Sequence, residues 1–400
     1  MSLAVFEQLR HLNAGEPEYA AKFIDALLPA TIAARASDVH LHPVEKSLEV
    51  RWRIDGVLQP LGLFPRGEVA DVIVRLKVMA ELLTYRTDIP QEGRLRAPSA
   101  VEMRISTFPT LHGERAVIRL FAATHEFRLP EELDLPGHVL ETLQGAMGEN
   151  QGAVIISGPA GAGKTTTAYA CLRSIVRDTN TLKSVVTLED PIESVLSGVS
   201  QSQIQANSGL TLATGLRSLL RQDPEVLLVG EIRDRETAEG VFQAALTGHL
   251  VLSTFHAGSA VEGLGRLREM GIEAYLIRSG LQAMLNQRLV RRLCSCAQPA
   301  QRSEELLGFE VKPEQVRMAR GCPACLQSGY RGRLLLVEML SRREETLSPA
   351  LLQETNTRDM QRQARQSGMI TLHERALAAL ERGHTSPQEV RRAFGFDKGK

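Results

Sequence analysis

A glycine-rich segment near the middle of the chain has the residue types and spacing of a phosphate-binding loop. It fits the pattern G-x-x-x-x-G-K-[ST] without a mismatch and consists of Gly158, Pro159, Ala160, Gly161, Ala162, Gly163, Lys164 and Thr165. Glycines let the backbone curl so that its N–H groups face phosphate oxygens, and a helix N-terminus adds a favourable dipole. Lys164 is expected to reach the β- and γ-phosphates, and the Thr165 hydroxyl to bind Mg²⁺. The segment predicts a site for ATP and magnesium.

The segments on both sides of this loop are those that the motif requires. Residues 153–156 precede it as an apolar strand, and residues 166–176 follow as a helix that starts at Thr166, a further candidate nucleotide contact. The alternative is a glycine-rich turn without function, which would need neither neighbour. The strand–loop–helix order favours the phosphate-binding interpretation.

A second apolar segment, residues 226–229, leads to Gly230 and Glu231. Many phosphate-loop ATPases have Asp where this chain has Gly230, which leaves Glu231 as the acidic group. We expect Glu231 to orient or polarise the attacking water and to contribute to magnesium binding through water. The alternative, an ordinary surface glutamate at a strand end, is less favoured beside an intact phosphate loop.

Other charged residues are ambiguous on the sequence alone. Glu189, Asp190 and Glu193 follow the predicted strand 184–188, where a solvated charged loop is an equally good explanation. His249 and His256 flank the predicted strand 250–254, and a lone histidine at a strand end is more often structural, as we expect for His249.

Two arginines, Arg217 and Arg221, stand four residues apart on a predicted helix over 215–221, so they would share one face. Such arginines can neutralise charge on a transferring phosphoryl group, but they suit a solvated helix surface equally well.

Four of the five cysteines form two closely spaced pairs, Cys294 with Cys296 and Cys322 with Cys325. In a reducing compartment this pattern favours metal over disulfides, and two thiolate pairs can close a tetrahedral structural Zn²⁺ site. Four reduced thiols are the alternative, because C-x-C is a tighter bite than the usual C-x-x-C. The remaining cysteine, Cys171, is most simply a small core residue.

Length and composition indicate a globular chain of two or three domains. The 400 residues include 43% hydrophobic and 24% charged ones, and 47 Lys and Arg balance 47 Asp and Glu. The zero net charge argues against a broad nucleic-acid-binding surface. No apolar stretch approaches the roughly 18 residues of a membrane span, and the N-terminus does not have the pattern of a signal peptide, so we expect a cytoplasmic protein.

Hydrophobic periodicity divides the chain into six segments. We predict an N-terminal helical segment (1–35), an α+β domain (36–122), a linker (123–137), a parallel α/β core (138–290), a tetracysteine segment (291–333) and a helical C-terminal region (334–400).

The chain resembles the secretion ATPase family, which comprises type II secretion and type IV pilus assembly ATPases. The resemblance extends from about Ala36 onward and rests on six blocks in the expected order: ASDVHLHP, GPAGAGKTTT, TLEDPIE, LRQDPEVLLVGEIRDRETAE, TGHLVLSTFHA and GCPACLQSGYRGR. The last block is similar to the zinc segment of the secretion and pilus-extension branches, which the retraction branch usually lacks.

The resemblance implies an α/β, RecA-like phosphate-loop motor domain preceded by a PAS-like α+β domain, assembled as a ring of six. It implies that Glu189, Asp190 and Glu193 form an aspartate box and that His256 belongs to a histidine box near the nucleotide. It also implies roles for four arginines: Arg94 and Arg104 would reach from the first domain towards the γ-phosphate, and Arg217 and Arg221 match the family's paired arginines.

This chain departs from the family pattern at three places outside the cysteines. Only about 35 residues precede the α+β domain, where the family usually carries a further domain that binds a membrane-associated adaptor. His42 stands where the first block usually has Glu, and Ala257 follows His256 where Thr is common. Neither substitution removes an obvious catalytic group.

These patterns together lead us to expect a hexameric ATPase that drives pilin or pseudopilin assembly for type II secretion or type IV pilus biogenesis. Expected partners are further copies of the chain, an inner-membrane platform protein and an adaptor, with no nucleic acid. The expected location is the cytoplasmic face of the bacterial inner membrane. The alternatives are a retraction or competence pilus motor, a nucleic-acid translocase with a RecA-like core, and a scaffold that does not hydrolyse ATP.

Overall fold

The computed structural model describes residues 2–95, 101–121, 129–178, 182–205, 209–353 and 356–395. The chain forms two compact units: residues 1–125 with 320–331, and residues 126–319 with 332–400. The first part of the predicted linker, residues 123–128, lies outside the described residues. No helix among the described residues is both long and apolar enough to cross a bilayer.

The first unit consists of a six-stranded antiparallel sheet and three helices. Its helices are α1 (Ser2–Arg10), α2 (Tyr19–Ala33) and α3 (Val72–Met79); its strands are β1 (Ala36–Val44), β2 (Ser47–Ile54), β3 (Val57–Pro65), β4 (Gln91–Leu95), β5 (Met103–Thr110) and β6 (Gly113–Leu120). The strand order is β3-β2-β1-β6-β5-β4. Along β2, Leu48, Val50 and Trp52 are buried and the residues between them face outward, which is the alternation of a sheet with one covered face.

The core of this unit contains an ion pair. The Lys77 ammonium lies 2.7 Å from a carboxylate oxygen of Glu114 and donates a second bond of 2.7 Å to the carbonyl of Arg86. Lys77 is 0% and Glu114 6% exposed, so the charges satisfy each other away from water.

The second unit consists of a seven-stranded sheet with helices around it, and a small two-stranded sheet. Its helices are α4 (Gly137–Met147), α5 (Lys164–Arg177), α6 (Leu212–Leu219), α7 (Arg235–Leu246), α8 (Ala260–Glu269), α9 (Ala274–Gly280), α10 (Pro349–Gln353), α11 (Thr357–Gln366), α12 (Leu372–Glu381) and α13 (Pro387–Phe394). Its strands are β7 (Gly152–Ser157), β8 (Val185–Glu189), β9 (Ser200–Gln203), β10 (Val226–Val229), β11 (Leu250–Phe255), β12 (Leu281–Leu293), β13 (Gln298–Pro299), β14 (Arg317–Met318) and β15 (Tyr330–Ser341).

The large sheet has the order β15-β12-β7-β11-β10-β8-β9, and the neighbours from β12 to β9 are parallel. Every residue of β7, β8, β10 and β11 is buried, as expected for strands that are covered on both faces. The carboxyl ends of these strands meet at one edge, which is where open α/β sheets place their ligands.

Two details of the prediction are wrong. Residues 334–341, predicted as helix, form most of β15, because a short apolar run fits a buried strand as well as a buried helix. The predicted helix over 215–221 ends at Leu219, so Arg221 lies in the following turn and does not share a helical face with Arg217.

Candidate functional site

The phosphate-binding segment forms the turn between β7 and α5, as predicted. Gly158, Gly161 and Gly163 have φ values of 147°, 73° and 88°, a region that favours glycine. At Gly158 there is a second restriction, because a Cβ atom would lie 2.5 Å from the carbonyl oxygen of Gln287 on β12. The loop therefore depends on glycine for its curvature and for its close contact with the sheet.

Lys164 is the first residue of α5 and folds back over this loop. Its ammonium donates to the carbonyl oxygens of Gly158 at 2.9 Å and Pro159 at 3.1 Å. Burial lowers the pKa of Lys164, while the Glu231 carboxylate acts in the opposite direction. This ammonium is partly desolvated and bonds only to neutral carbonyl oxygens. Anionic phosphate oxygens would therefore be stronger acceptors and could replace the two carbonyls.

A cleft of about 210 Å³ adjoins this loop at the carboxyl edge of the sheet. The structure brings together eight of the predicted site residues in its lining: Ala160, Lys164, Thr165, Glu189, Asp190, Glu193, Glu231 and His256. Residues that are far apart in the sequence therefore meet beside the phosphate-binding segment, as expected of parallel strands that end at the same edge.

Glu231 follows β10 and lies between a histidine and an arginine. One carboxylate oxygen is 2.9 Å from Nε2 of His256, and the other accepts a 3.1 Å bond from Nε of Arg233. Arg233 also donates to Asp190 at 3.0 Å, so one guanidinium joins two carboxylates of the cleft. Arg233 received no role from the sequence, although it lies two residues after Glu231 in the LRQDPEVLLVGEIRDRETAE block.

Steric crowding explains why a glycine, Gly230, precedes Glu231. A Cβ atom at Gly230 would lie 3.2 Å from both the Cα of Glu189 and the carbonyl oxygen of Leu188, closer than most such contacts allow. The Gly230 N–H donates to that carbonyl at 2.8 Å. The ends of β8 and β10 therefore approach so closely that an aspartate at position 230 would need a local shift.

Glu189 is a buried carboxylate whose oxygens are held by three side chains. It is 3% exposed and accepts bonds from Thr187 at 2.6 Å, from Gln201 at 3.1 Å and from the hydroxyl of Tyr169. Burial and the bond to Glu189 raise the pKa of Tyr169, so the phenol stays protonated and remains a donor. The same hydroxyl accepts a 3.3 Å bond from the N–H of Glu193. Tyr169, on α5, thus anchors both ends of the acidic loop.

Three of the four predicted arginines, Arg94, Arg104 and Arg217, form ion pairs with nearby carboxylates. Arg217 pairs with Glu236 at 2.7 Å on the surface, and neither Arg217 nor Arg221 is among the described residues that line the cleft. Arg94 and Arg104, in the first unit, are directly opposite each other on β4 and β5.

Glu102 lies between these two arginines. One of its oxygens is 3.6 Å from Nε of Arg94 and 3.4 Å from Nε of Arg104. The guanidinium of Arg104 also stacks over the ring of Phe121, 4.7 Å from its centroid. The pairing of Arg94 with Arg104 was not evident from the sequence, where the two residues are ten positions apart.

The four paired cysteines meet in one cluster. The sulfur atoms of Cys294, Cys296, Cys322 and Cys325 all lie within 4.8 Å of one another. A tetrahedral site with Zn–S bonds near 2.3 Å has S–S edges of about 3.8 Å, and Cys322 and Cys325 are 3.7 Å apart. Two backbone N–H groups donate to the sulfur of Cys325, an arrangement that stabilises a thiolate. The donor set fits a structural zinc ion.

The chain matches the family model described as "Type II/IV secretion system protein" over residues 14–392. It is 41% identical to the type II secretion system protein E of Pseudomonas aeruginosa and 39% identical to the type II secretion system ATPase E of Vibrio cholerae. Each alignment covers 93% of this chain and 74% of the relative. The type IV pilus assembly ATPase PilB of Thermus thermophilus is 36% identical over 93% of this chain and 42% of its own length.

Solved structures share the fold. The Legionella pneumophila ATPase DotB matches with a TM-score of 0.66 and 22% identity, over 92% of this chain and 94% of its own. The pilus retraction motor PilT, solved with bound ADP, matches with a TM-score of 0.60 and 21% identity, over 96% and 98%. The predicted mixed α/β ATPase fold is confirmed. The chain belongs to the type II/IV secretion system protein family and is an ATP hydrolase of type II secretion or type IV pilus assembly.

Proposed function

We propose that this chain hydrolyses ATP in the cleft beside Gly158–Thr165 and works as a homohexamer. The observation that supports this most directly is the meeting of Lys164, Thr165, Glu231 and His256 at one edge of the parallel sheet. The organisation that we infer is a RecA-like core in residues 138–290, preceded by a PAS-like domain in residues 36–122.

Within the cleft, the loop N–H groups and Lys164 bind the phosphates of ATP. Thr165 and, through water, Glu231 would hold Mg²⁺, which when bound neutralises charge on the phosphate oxygens. Glu231 lines the same cleft as Lys164 and Thr165, where it orients the attacking water and accepts its proton. His256 holds the Glu231 carboxylate in place, and Asp190 and Glu193 complete the acidic wall.

Glu189 supports the acidic loop from within the core. Arg94 and Arg104 reach from the first domain towards the γ-phosphate, and Arg217 and Arg221 correspond to the paired arginines of the family. An arginine that binds the γ-phosphate is released when that group leaves, which couples hydrolysis to domain motion.

Motion of this kind would be passed to an inner-membrane platform protein, with an adaptor helping to keep the chain at the cytoplasmic face of that membrane. The four-cysteine cluster supports a zinc-containing secretion or pilus-extension motor over a retraction motor. No nucleic acid is part of this proposal.

Replacement of Glu231 by Gln tests the assignment of the cleft. The amide keeps the shape of the side chain but loses the base, so turnover should fall by about 10²- to 10⁴-fold while ATP binding persists. Glu239→Gln is the matched control, because Glu239 lies on α7 and pairs with Arg235 on the surface. We would measure phosphate release and binding of a fluorescent ATP analogue. Turnover that is unchanged in Glu231→Gln would contradict the proposal.

A further inference from the structure

A buried amide lies between the phosphate-binding loop and the loop that carries His256. Asn286 is on β12, directly opposite Ser157 on β7, and it is 0% exposed. Its Nδ2 group donates to Oγ of Ser157 at 2.9 Å and to the carbonyl oxygen of Ala257 at 3.0 Å. Ser157 directly precedes Gly158, and Ala257 directly follows His256. The Asn286 side chain therefore joins the start of the phosphate-binding loop to the loop that follows His256.

The surrounding bonds determine the orientation of this amide. Ser157 donates its own hydroxyl proton to the carbonyl of Leu285, so its oxygen accepts from Asn286. The Ala257 carbonyl can only accept, so both contacts require the NH₂ side of the amide. With its two N–H groups used in this way, Asn286 cannot rotate without losing both bonds.

The oxygen of the amide argues against a role of Asn286 in core stability alone. Oδ1 of Asn286 is buried and has no hydrogen-bond partner within the described residues. An unsatisfied buried acceptor disfavours folding, and an apolar side chain of similar volume would avoid it. Because Asn286 carries this unfavourable free-energy term in the centre of the sheet, we look for its role in the neighbouring site.

The loop after His256 is pinned at further points. The carbonyl of His256 accepts from the guanidinium of Arg266, and the N–H of Ala260 donates to the buried carboxylate of Glu338 at 2.7 Å. Asn286 supplies the contact that runs from this loop to the base of the phosphate-binding loop. Since His256 touches Glu231 at 2.9 Å, the position of the loop sets the position of that carboxylate.

We propose that Asn286 is a positioning residue that couples the phosphate-binding loop to His256, and through His256 to Glu231. This inference rests on the proposed function of the cleft. Its two bonds fix the distance between the group that binds phosphate and the group that orients water. A displacement of about 1 Å at a reacting centre can cost roughly 100-fold in rate, so a loosened contact should reduce turnover by about tenfold.

The test compares Asn286→Leu with Asn286→Ala. Both substitutions remove the two N–H donors of Asn286, and Leu also preserves the side-chain volume. If the Leu variant does not fold, the Ala variant provides the measurement. We expect kcat to fall about tenfold while KM for ATP changes by less than twofold, because the phosphate loop keeps its own glycines and Lys164. Thr385→Val is the control, since Thr385 is equally buried and donates to the Arg291 carbonyl far along β12. It should leave kcat unchanged.

A double-mutant cycle with His256→Ala separates positioning from general stability. If Asn286 acts through His256, Asn286→Leu causes no further loss of kcat once His256 is replaced. Losses that multiply independently, a change in KM alone, or an unaltered kcat would each overturn the inference. If His256→Ala by itself leaves turnover unchanged, the proposed role of His256 fails as well. If His256→Ala lowers kcat and the two losses are additive, the proposed coupling by Asn286 is wrong but the role of His256 stands.

Discussion

Replacing Tyr169 by Phe removes one oxygen atom from the centre of the acidic loop. That oxygen donates to buried Glu189 and accepts from the N–H of Glu193. The ring is 1% exposed and stays in place, so the substitution creates no cavity large enough to matter. Glu189 keeps its bonds to Thr187 and Gln201, two donors of three.

The expected magnitude follows from the charge of the acceptor. A hydrogen bond to a charged group contributes about 1.5–3 kcal/mol, and we take about 2 kcal/mol because the carboxylate remains partly satisfied. In a unit of this size such a loss lowers the thermal midpoint by about 4–8 °C. A loop that is destabilised by about 2 kcal/mol can reduce kcat/KM for ATP by up to roughly 30-fold.

Differential scanning calorimetry and steady-state phosphate release would measure both effects on the same preparation. Tyr275→Phe is a matched control, because Tyr275 lies on α9 and is 54% exposed. A Tyr169→Phe protein with the parental midpoint and the parental kcat/KM would refute the view that this hydroxyl holds the acidic loop.

Three further predictions concern stability. Cys322→Ser should lower both the zinc content, measured by atomic absorption, and the thermal midpoint; a wild-type protein that keeps its full midpoint in chelator would rule out a structural metal. Glu114→Gln leaves the buried ammonium of Lys77 without a counter-charge, so urea unfolding should show a loss of about 3–5 kcal/mol, whereas replacing both residues by apolar ones should cost far less. Bonds to two arginines outweigh burial and lower the pKa of Glu389, so its stabilisation is present above the ordinary carboxyl pKa and is lost as the pH falls through the lowered value. Glu389→Gln should therefore be less stable by about 3 kcal/mol at pH 7, and a difference that persisted unchanged in acid would contradict this.

The sequence was sufficient to predict elements whose structure depends on a local residue pattern. The strands that end at Ser157, Val229 and Phe255 are short and mainly apolar, and the glycine spacing before Lys164 permits few alternatives. The cysteine pairs were also readable, because thiol spacing is a direct signal of ligand geometry.

Cross-strand relations were not readable. Asn286 and Ser157 are 129 residues apart, and nothing in the segment around Asn286 indicates that its amide faces the phosphate-binding loop. Arg233 and Tyr169 were visible only as a charged residue beside a motif and an aromatic residue in a helix, because their roles depend on which side chains meet in three dimensions. β15 was mistaken for helix for a related reason, since its burial is decided by elements far away in the sequence.

The pairing of Arg94 with Arg104 has a consequence for ligand choice. The hydrogen-bond ladder of β4 and β5 places their Cα atoms opposite each other, about 4.5–5.5 Å apart, so the two side chains start side by side. One carboxylate oxygen of Glu102 lies near both guanidinium groups and partly neutralises the two cations. An anion that takes the place of this carboxylate would meet two positive charges at one point, so the strand pair favours negatively charged ligands over neutral ones.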